Sequence, residues 1–204
     1  MSSKRLPDHW SRKAKAEGYA ARSVYKLEEI ERRNRVLPQG PGRVVDLGCC
    51  PGSWSRYVRE KGGRGLTLVG VDWQAVPDYP GVFVERSVLE VTPAELLAAL
   101  GGPADCVLSD MAPFTTGSRF TDHVAQMELA RCAFDLAVLT LRKGGHFVAK
   151  VFEGEEVNPF VAAIKQRFTE VKRVKPEATR NESVELFVVG KGFRGPLPTT
   201  GPAA

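Results

Sequence analysis

The chain has 204 residues, 43% of them hydrophobic, with 29 Lys/Arg against 24 Asp/Glu and a formal net charge of +5. That length suits one well-cored domain better than two, and no apolar stretch approaches the roughly 20 residues of a membrane span. The start, MSSKRLPDHWSRKAKAEGY, is charged and lacks the apolar core of a secretory signal, and the four cysteines and three histidines show no zinc-ligand spacing, so a soluble, cytoplasmic protein holding no metal is expected.

Residues 1–43 carry 11 Lys/Arg against 5 Asp/Glu, whereas the rest of the chain holds 18 against 19. The excess positive charge is an N-terminal feature, as expected for a polyanion partner. Within it, Val24, Leu27 and Ile30 in ARSVYKLEEIERRNRV fall at helical spacing, which predicts a helix ending near Asn34. LPQGPGR is a loop, RVVDLG a first strand and SWSRYVREKGG a helix closed by glycines. LTLVGVD and VFVERS are the second and third strands. TPAELLAALGG is a helix with Thr92 as N-cap, Pro93 in the first turn and Glu95 completing a capping box.

DCVLSD is a fourth strand, residues 114–121 a polar loop and residues 122–142 a long helix. HFVAKVF is a fifth strand and NPFVAAIKQRF the next helix. EVKRVKPEATRNESVELFVVGKGF reads as two antiparallel strands, and RGPLPTTGPAA as a Pro/Gly-rich, disordered tail. Strands alternating with helices and followed by a hairpin predict an α/β fold: an open, mostly parallel sheet with an antiparallel edge. The expected organisation is a basic helical segment over 1–42, a main domain over 43–192 and a tail over 193–204.

VVDLGCCPGSW lies at the tip of the first strand, where open α/β sheets bind ligands. Gly48 and Gly52 allow close backbone approach, and the turn leads into a helix N-terminus. The order is D-x-G-x-x-P-G, not the dinucleotide G-x-G-x-x-G. Asp46 ahead of the first glycine suits an amine-bearing ligand better than a pyrophosphate. Asp72, 20 residues beyond Gly52, can accept both hydroxyls of a ribose. A nucleoside with an amino-acid-like tail, S-adenosylmethionine, fits this set. Trp54 stands where it can line the adenosine site or simply fill the core.

These residues, with LSDMAP (108–113), AKVFEGE (149–155) and the final VELFVVGKG, resemble the FtsJ-type family of ribose 2′-O-methyltransferases over about residues 12–192. The resemblance implies a Rossmann-like methyltransferase fold with a seven-stranded sheet and helices on both faces, and S-adenosylmethionine as cofactor. It also implies a Lys-Asp-Lys-Glu catalytic set: Lys26 of RSVYKLEEI, Asp110 of LSDMAP, Lys150 of AKVFEGE and Glu185 of RNESVELFVV, with Glu182 as the fallback. Asp110 also falls near the methyl and sulfonium. In one departure, relatives often carry an aspartate near the adenine where this chain has Ser87; the serine, a backbone group or a nearby acid is left to hold the ring.

Lys150 sits between Phe147-Val148 and Val151-Phe152, where an ammonium is costly to desolvate. A ribose 2′-hydroxyl must lose its proton as it attacks, and a free lysine titrates near pH 10.4. Lys150 can serve as a general base if deprotonated, or as an ammonium steadying the developing alkoxide; the sequence leaves both open. The expected substrate is large-subunit ribosomal RNA, at a uridine, on a monomeric enzyme. A transfer-RNA enzyme and a non-catalytic assembly factor are the alternatives. Arg12, Lys13, Lys15 and Arg22 on one side, and Lys172 and Arg173 on the other, are expected to contact RNA phosphates.

Overall fold

A computed structural model describes residues 8–180 and 182–195. Helices α1 (His9–Ala16) and α2 (Val24–Asn34) lead into β1 (Gly42–Leu47), α3 (Ser53–Gly62), β2 (Leu66–Asp72) and β3 (Val82–Glu85). Then follow α4 (Pro93–Leu100), β4 (Ala104–Ser109), α5 (Arg119–Thr140), β5 (Leu141–Phe152), α6 (Val157–Arg167), β6 (Phe168–Val174) and β7 (Glu185–Phe193). Residues 1–7 of the expected basic segment and 196–204 of the expected tail lie outside the described residues.

The strands form one seven-stranded sheet in the order β3-β2-β1-β4-β5-β7-β6. The pairs from β3 through β5 are parallel, and β7 runs antiparallel to both β5 and β6. The C-terminal hairpin therefore folds back so that its second strand enters the sheet, leaving β6 at the edge. Successive strand residues point to opposite faces, and the core divides accordingly. Val45, Val107, Phe147, Ala149 and Val188 pack under α4, α5 and α6. Val44, Leu108, Val148, Phe187 and Val189 pack under α2 and α3, with Ala14 of α1 joining that core.

This alternation positions the polar residues. Asp46 has the parity of Val44, Lys150 that of Val148, and Glu185 that of Phe187, so all three belong to the face covered by α2 and α3.

Two boundaries differ from the sequence reading. Helix α5 begins at Arg119, because the Ser118 hydroxyl accepts from Thr121 N and caps it there. Strand β5 begins at Leu141, directly after the helix: Leu141 pairs with Ala104, and an irregularity between Ala104 and Cys106 accommodates the exposed Arg142-Lys143-Gly144 before His146 resumes the register.

Candidate active site

The turn after β1 is built by two glycines in left-handed backbone conformations, Gly48 (φ +72°) and Gly52 (φ +95°). A side chain at Gly48 would also drive its Cβ into Met111. The turn is hung from β2, since Gly48 N and Cys49 N both donate to Val71 O, at 2.8 and 3.2 Å. Asp72 fixes it further: one carboxylate oxygen accepts from Cys50 N and the other from Gln74 N, each at 2.9 Å. Each oxygen retains an acceptor position for a ligand.

Beside this turn lies a cleft of about 520 Å³ whose lining includes Gly48, Asp72, Trp73, Ser87, Asp110 and Phe114. Four of the expected cofactor residues thus share one cavity. Asp46 lies beneath, 1% exposed. Its Oδ2 accepts from the Ser55 hydroxyl at 2.6 Å, and Ser55 Oγ lies 2.8 Å from the Tyr79 hydroxyl. Asp46 Oδ1 has no partner among the described residues. Burial, opposed by the Ser55 bond and reinforced by the charges of Asp110 and Asp72, pushes the Asp46 carboxyl up to about 7. A bare buried carboxylate oxygen beside a glycine cradle fits a cationic amine, and a paired acid at the end of β2 fits ribose hydroxyls; S-adenosylmethionine carries both.

Trp54 is placed elsewhere. Its indole N–H donates to Ser23 O at 2.8 Å, and its ring lies 5.7 Å from that of Phe187, so it ties α3 to α2 and β7 rather than lining the cleft.

The four residues of the expected catalytic set form two ion pairs on the α2–α3 side of the sheet. Lys150 is 6% exposed and donates to Asp110 twice, to the backbone oxygen at 2.7 Å and to Oδ1 at 3.1 Å. Lys26, 7% exposed, lies with its Nζ 2.5 Å from Glu185 Oε1. The strand register links the two pairs, with Lys150 opposite Phe187 and Phe152 opposite Glu185. Glu185 rather than Glu182 meets Lys26. Both glutamates line a second cavity of about 280 Å³ with Arg22, Arg180 and Ser183.

Two side chains that organise this region escaped the sequence reading. The Gln126 amide donates to Lys150 O at 2.9 Å and Met111 O at 3.2 Å, joining β5 to the loop that follows Asp110. Asp122 accepts from Thr116 N, Thr116 Oγ1 and Gly117 N. The backbone bond from Thr116, foremost, holds its carboxyl below the usual range. The only advance signal was a polar residue on an otherwise apolar helical stripe at Gln126.

Of the residues expected to meet RNA, Arg12 and Lys15 stand exposed on α1, while Lys13 lies 4.3 Å from the centroid of the Tyr25 ring. Arg22 pairs with Asp8 at 2.6 Å, and Arg180 reaches the same carboxylate oxygen at 3.6 Å. Lys172 pairs with Glu170, and Arg173 donates to Asn158.

Residues 19–193 match the model of the FtsJ-like methyltransferases. The ribosomal RNA large subunit methyltransferase E of Desulfosudis oleivorans is 45% identical over 190 residues, covering 92% of this chain and 91% of that protein. The protein of the same name from Novosphingobium aromaticivorans is 44% identical over 195 residues, covering 95% and 87%. A crystal structure of a Plasmodium falciparum protein described as a ribosomal RNA methyltransferase superposes with a TM-score of 0.76 at 25% identity, covering 87% of this chain and 100% of that one. With a match spanning the cleft and both ion pairs, the chain belongs to the FtsJ-like methyltransferase family.

Proposed function

We propose that the protein transfers a methyl group from S-adenosylmethionine to the 2′-hydroxyl of a uridine ribose in large-subunit ribosomal RNA. The observation that carries this reading is Lys150, a buried lysine held by Asp110, which itself lines the glycine-turn cleft. The names of the relatives support RNA of the large subunit as substrate.

When bound, the cofactor supplies a methyl on a sulfonium, already activated for transfer. Asp46 Oδ1 would hold its amino group, Asp72 its ribose hydroxyls, and Ser87 the adenine end. The remaining work concerns the nucleophile. Two of the hydrogen-bonding directions of Lys150 Nζ are taken by Asp110, and the third is left for the 2′-oxygen. In that position an ammonium donates to the developing alkoxide and an amine accepts the hydroxyl proton. Lys26 and Glu185 fix each other beside this point and position the ribose. Arg12, Lys13, Lys15, Arg22, Lys172 and Arg173 supply phosphate contacts that place the RNA without reading its sequence.

The test uses methyl-labelled S-adenosylmethionine with undermethylated large subunits, small subunits and transfer RNA. Alkali-resistant label in large-subunit RNA, recovered in uridine, is expected. Lys150→Ala should reduce the rate by about 10²–10⁴-fold while cofactor binding persists. A single-turnover rate that rises with pH to a plateau, the rise being absent in the Lys150 variant, assigns the proton-accepting role to Lys150; a rate without that rise assigns the electrostatic role. Label in transfer RNA alone would replace the substrate, and cofactor binding without transfer to any RNA would replace the enzyme with an RNA-binding factor.

A further inference from the structure

Phe114 is 84% exposed, more than any other large apolar side chain among the described residues. It lies on the rim of the cleft, four residues after Asp110, on a loop that is tied down at both ends. The Gln126 amide holds Met111 O, and Asp122 takes Thr116 N at 2.7 Å, Thr116 Oγ1 at 2.9 Å and Gly117 N at 3.2 Å. The ring is therefore held out by a built loop. Its aromatic neighbour is Trp73, 58% exposed, with centroids 6.2 Å apart and planes inclined at 58°. That tilt leaves a face of Phe114 uncovered. A single exposed phenylalanine needs no explanation, but a ring held against a second aromatic at a cleft mouth, with one face free, offers a flat apolar face to a planar partner.

The two ends of the cleft differ in chemistry. Asp72 and Ser87 mark one end, and Trp73, next to Asp72 in sequence, reaches from there to the Phe114 ring. Asp110 and its partner Lys150 mark the other, and Phe114 follows Asp110 through Pro113. A ribose whose 2′-oxygen meets Lys150 carries its base on the adjacent ring carbon, so the base must leave the cleft over the rim at this end. Bringing that ribose in breaks its base away from neighbouring bases, a loss that stacking on a protein ring offsets.

We propose that Phe114 is the stacking platform for the base of the nucleotide being methylated, with Trp73 bracing the ring. This rests on the RNA 2′-O-methyltransferase reading and adds to it a site for the nucleobase. A ring face reads no hydrogen-bonding edge, so Phe114 places the base without choosing which base it is.

The full-length chain with Phe114→Ala, Phe114→Leu and Phe114→Tyr is compared with wild type. Three quantities are measured: S-adenosylmethionine Kd without RNA, KM for RNA, and the single-turnover rate at saturating RNA. Phe114→Ala is expected to raise KM for RNA by about 5- to 150-fold, with cofactor Kd and melting temperature unchanged. Tyr should restore KM, and Leu, apolar but not flat, should not. A raised cofactor Kd with unchanged KM would overturn the proposal by assigning the ring to the cofactor's adenine. Full function in the Leu variant would reduce the ring to apolar cover, and an Ala variant equal to an active wild type would leave it without a ligand. A wild type that methylates no RNA sinks the underlying function instead, so the two failures are distinct.

Discussion

Asp46 has one oxygen held and one bare. Ser55 and, through it, Tyr79 hold Oδ2, while Asp110 and Asp72 are the groups whose charges bear on the carboxyl, and the neighbouring Cys49 thiol is itself pushed up by burial. A buried acid with its folded pKa raised from 3.8 to about 7 stabilises the fold while protonated. That contribution is complete below the unfolded value and is lost as pH rises through about 7. The free protein should therefore melt progressively lower as pH is raised from about 4 to about 7, and a cation at Oδ1 should recover the loss. S-adenosylmethionine affinity should fall about tenfold per pH unit below about 7. Calorimetric titration across that range checks this, with Asp46→Asn expected to be weak and flat; a flat wild-type profile would remove Asp46 from the cofactor site. The D-x-G-x-x-P-G turn was legible in the sequence because its constraint is local, a few residues folding over themselves. Tyr79 and Gln126 were not, because their partners lie 24 residues away or in other elements.

The elements themselves were mostly legible, since their apolar periods survive whatever they pack against. The capping box of α4 formed as read, with Glu95 N donating to Thr92 Oγ1 and Thr92 N to Glu95 Oε2. The α5–β5 junction was not: Leu141-Arg142-Lys143 is as compatible with a helix end as with a strand start, and its pairing with β4 decides. Nor do residues alone make Lys26 more than a basic helix position; only the family pattern separates it from its neighbours. Its ion pair with Glu185 staples α2 to β7. Glu185→Leu should leave a buried ammonium unpartnered and cost about 3–5 kcal/mol. Lys26→Met combined with Glu185→Leu should regain most of that stability, because apolar side chains of similar size fill the same space, yet remain inactive. Urea unfolding beside methyl transfer measures both, and a single variant of wild-type stability would mean the pair does not seat the helix.

Across the whole molecule, the charge asymmetry seen in composition takes a definite form. The N-terminal basic segment and the C-terminal one meet at Asp8, whose one oxygen draws in both Arg22 and Arg180. Helix α1 is thereby set against the β6–β7 connection with Arg12 and Lys15 exposed. Replacing both by Gln should weaken RNA binding alike for all sequences and make the log–log salt slope shallower by about 1.4 to 1.8, without changing cofactor affinity. Filter binding at several salt concentrations checks this; an unchanged slope would place the RNA elsewhere. Composition showed that the excess positive charge is N-terminal but not where that segment is anchored, because the anchoring contact joins residues near opposite ends of the chain.

Strand β7 is the last strand of the described chain and an interior strand of the sheet. Ribosomes make proteins from the N-terminus, so the glycine turn, Asp72, Asp110 and Lys150 all emerge before Glu185 does. Until β7 slots between β5 and β6, edge strand β6 has nothing to pair with, and Lys26 lacks its counter-ion. A nascent chain at the exit tunnel would hold the residues of the glycine-turn cleft and of the Lys150–Asp110 pair without the Lys26–Glu185 pair. The Lys26–Glu185 pair thus arrives only with the last strand, and the face under α2 and α3 is completed from the far end of the chain.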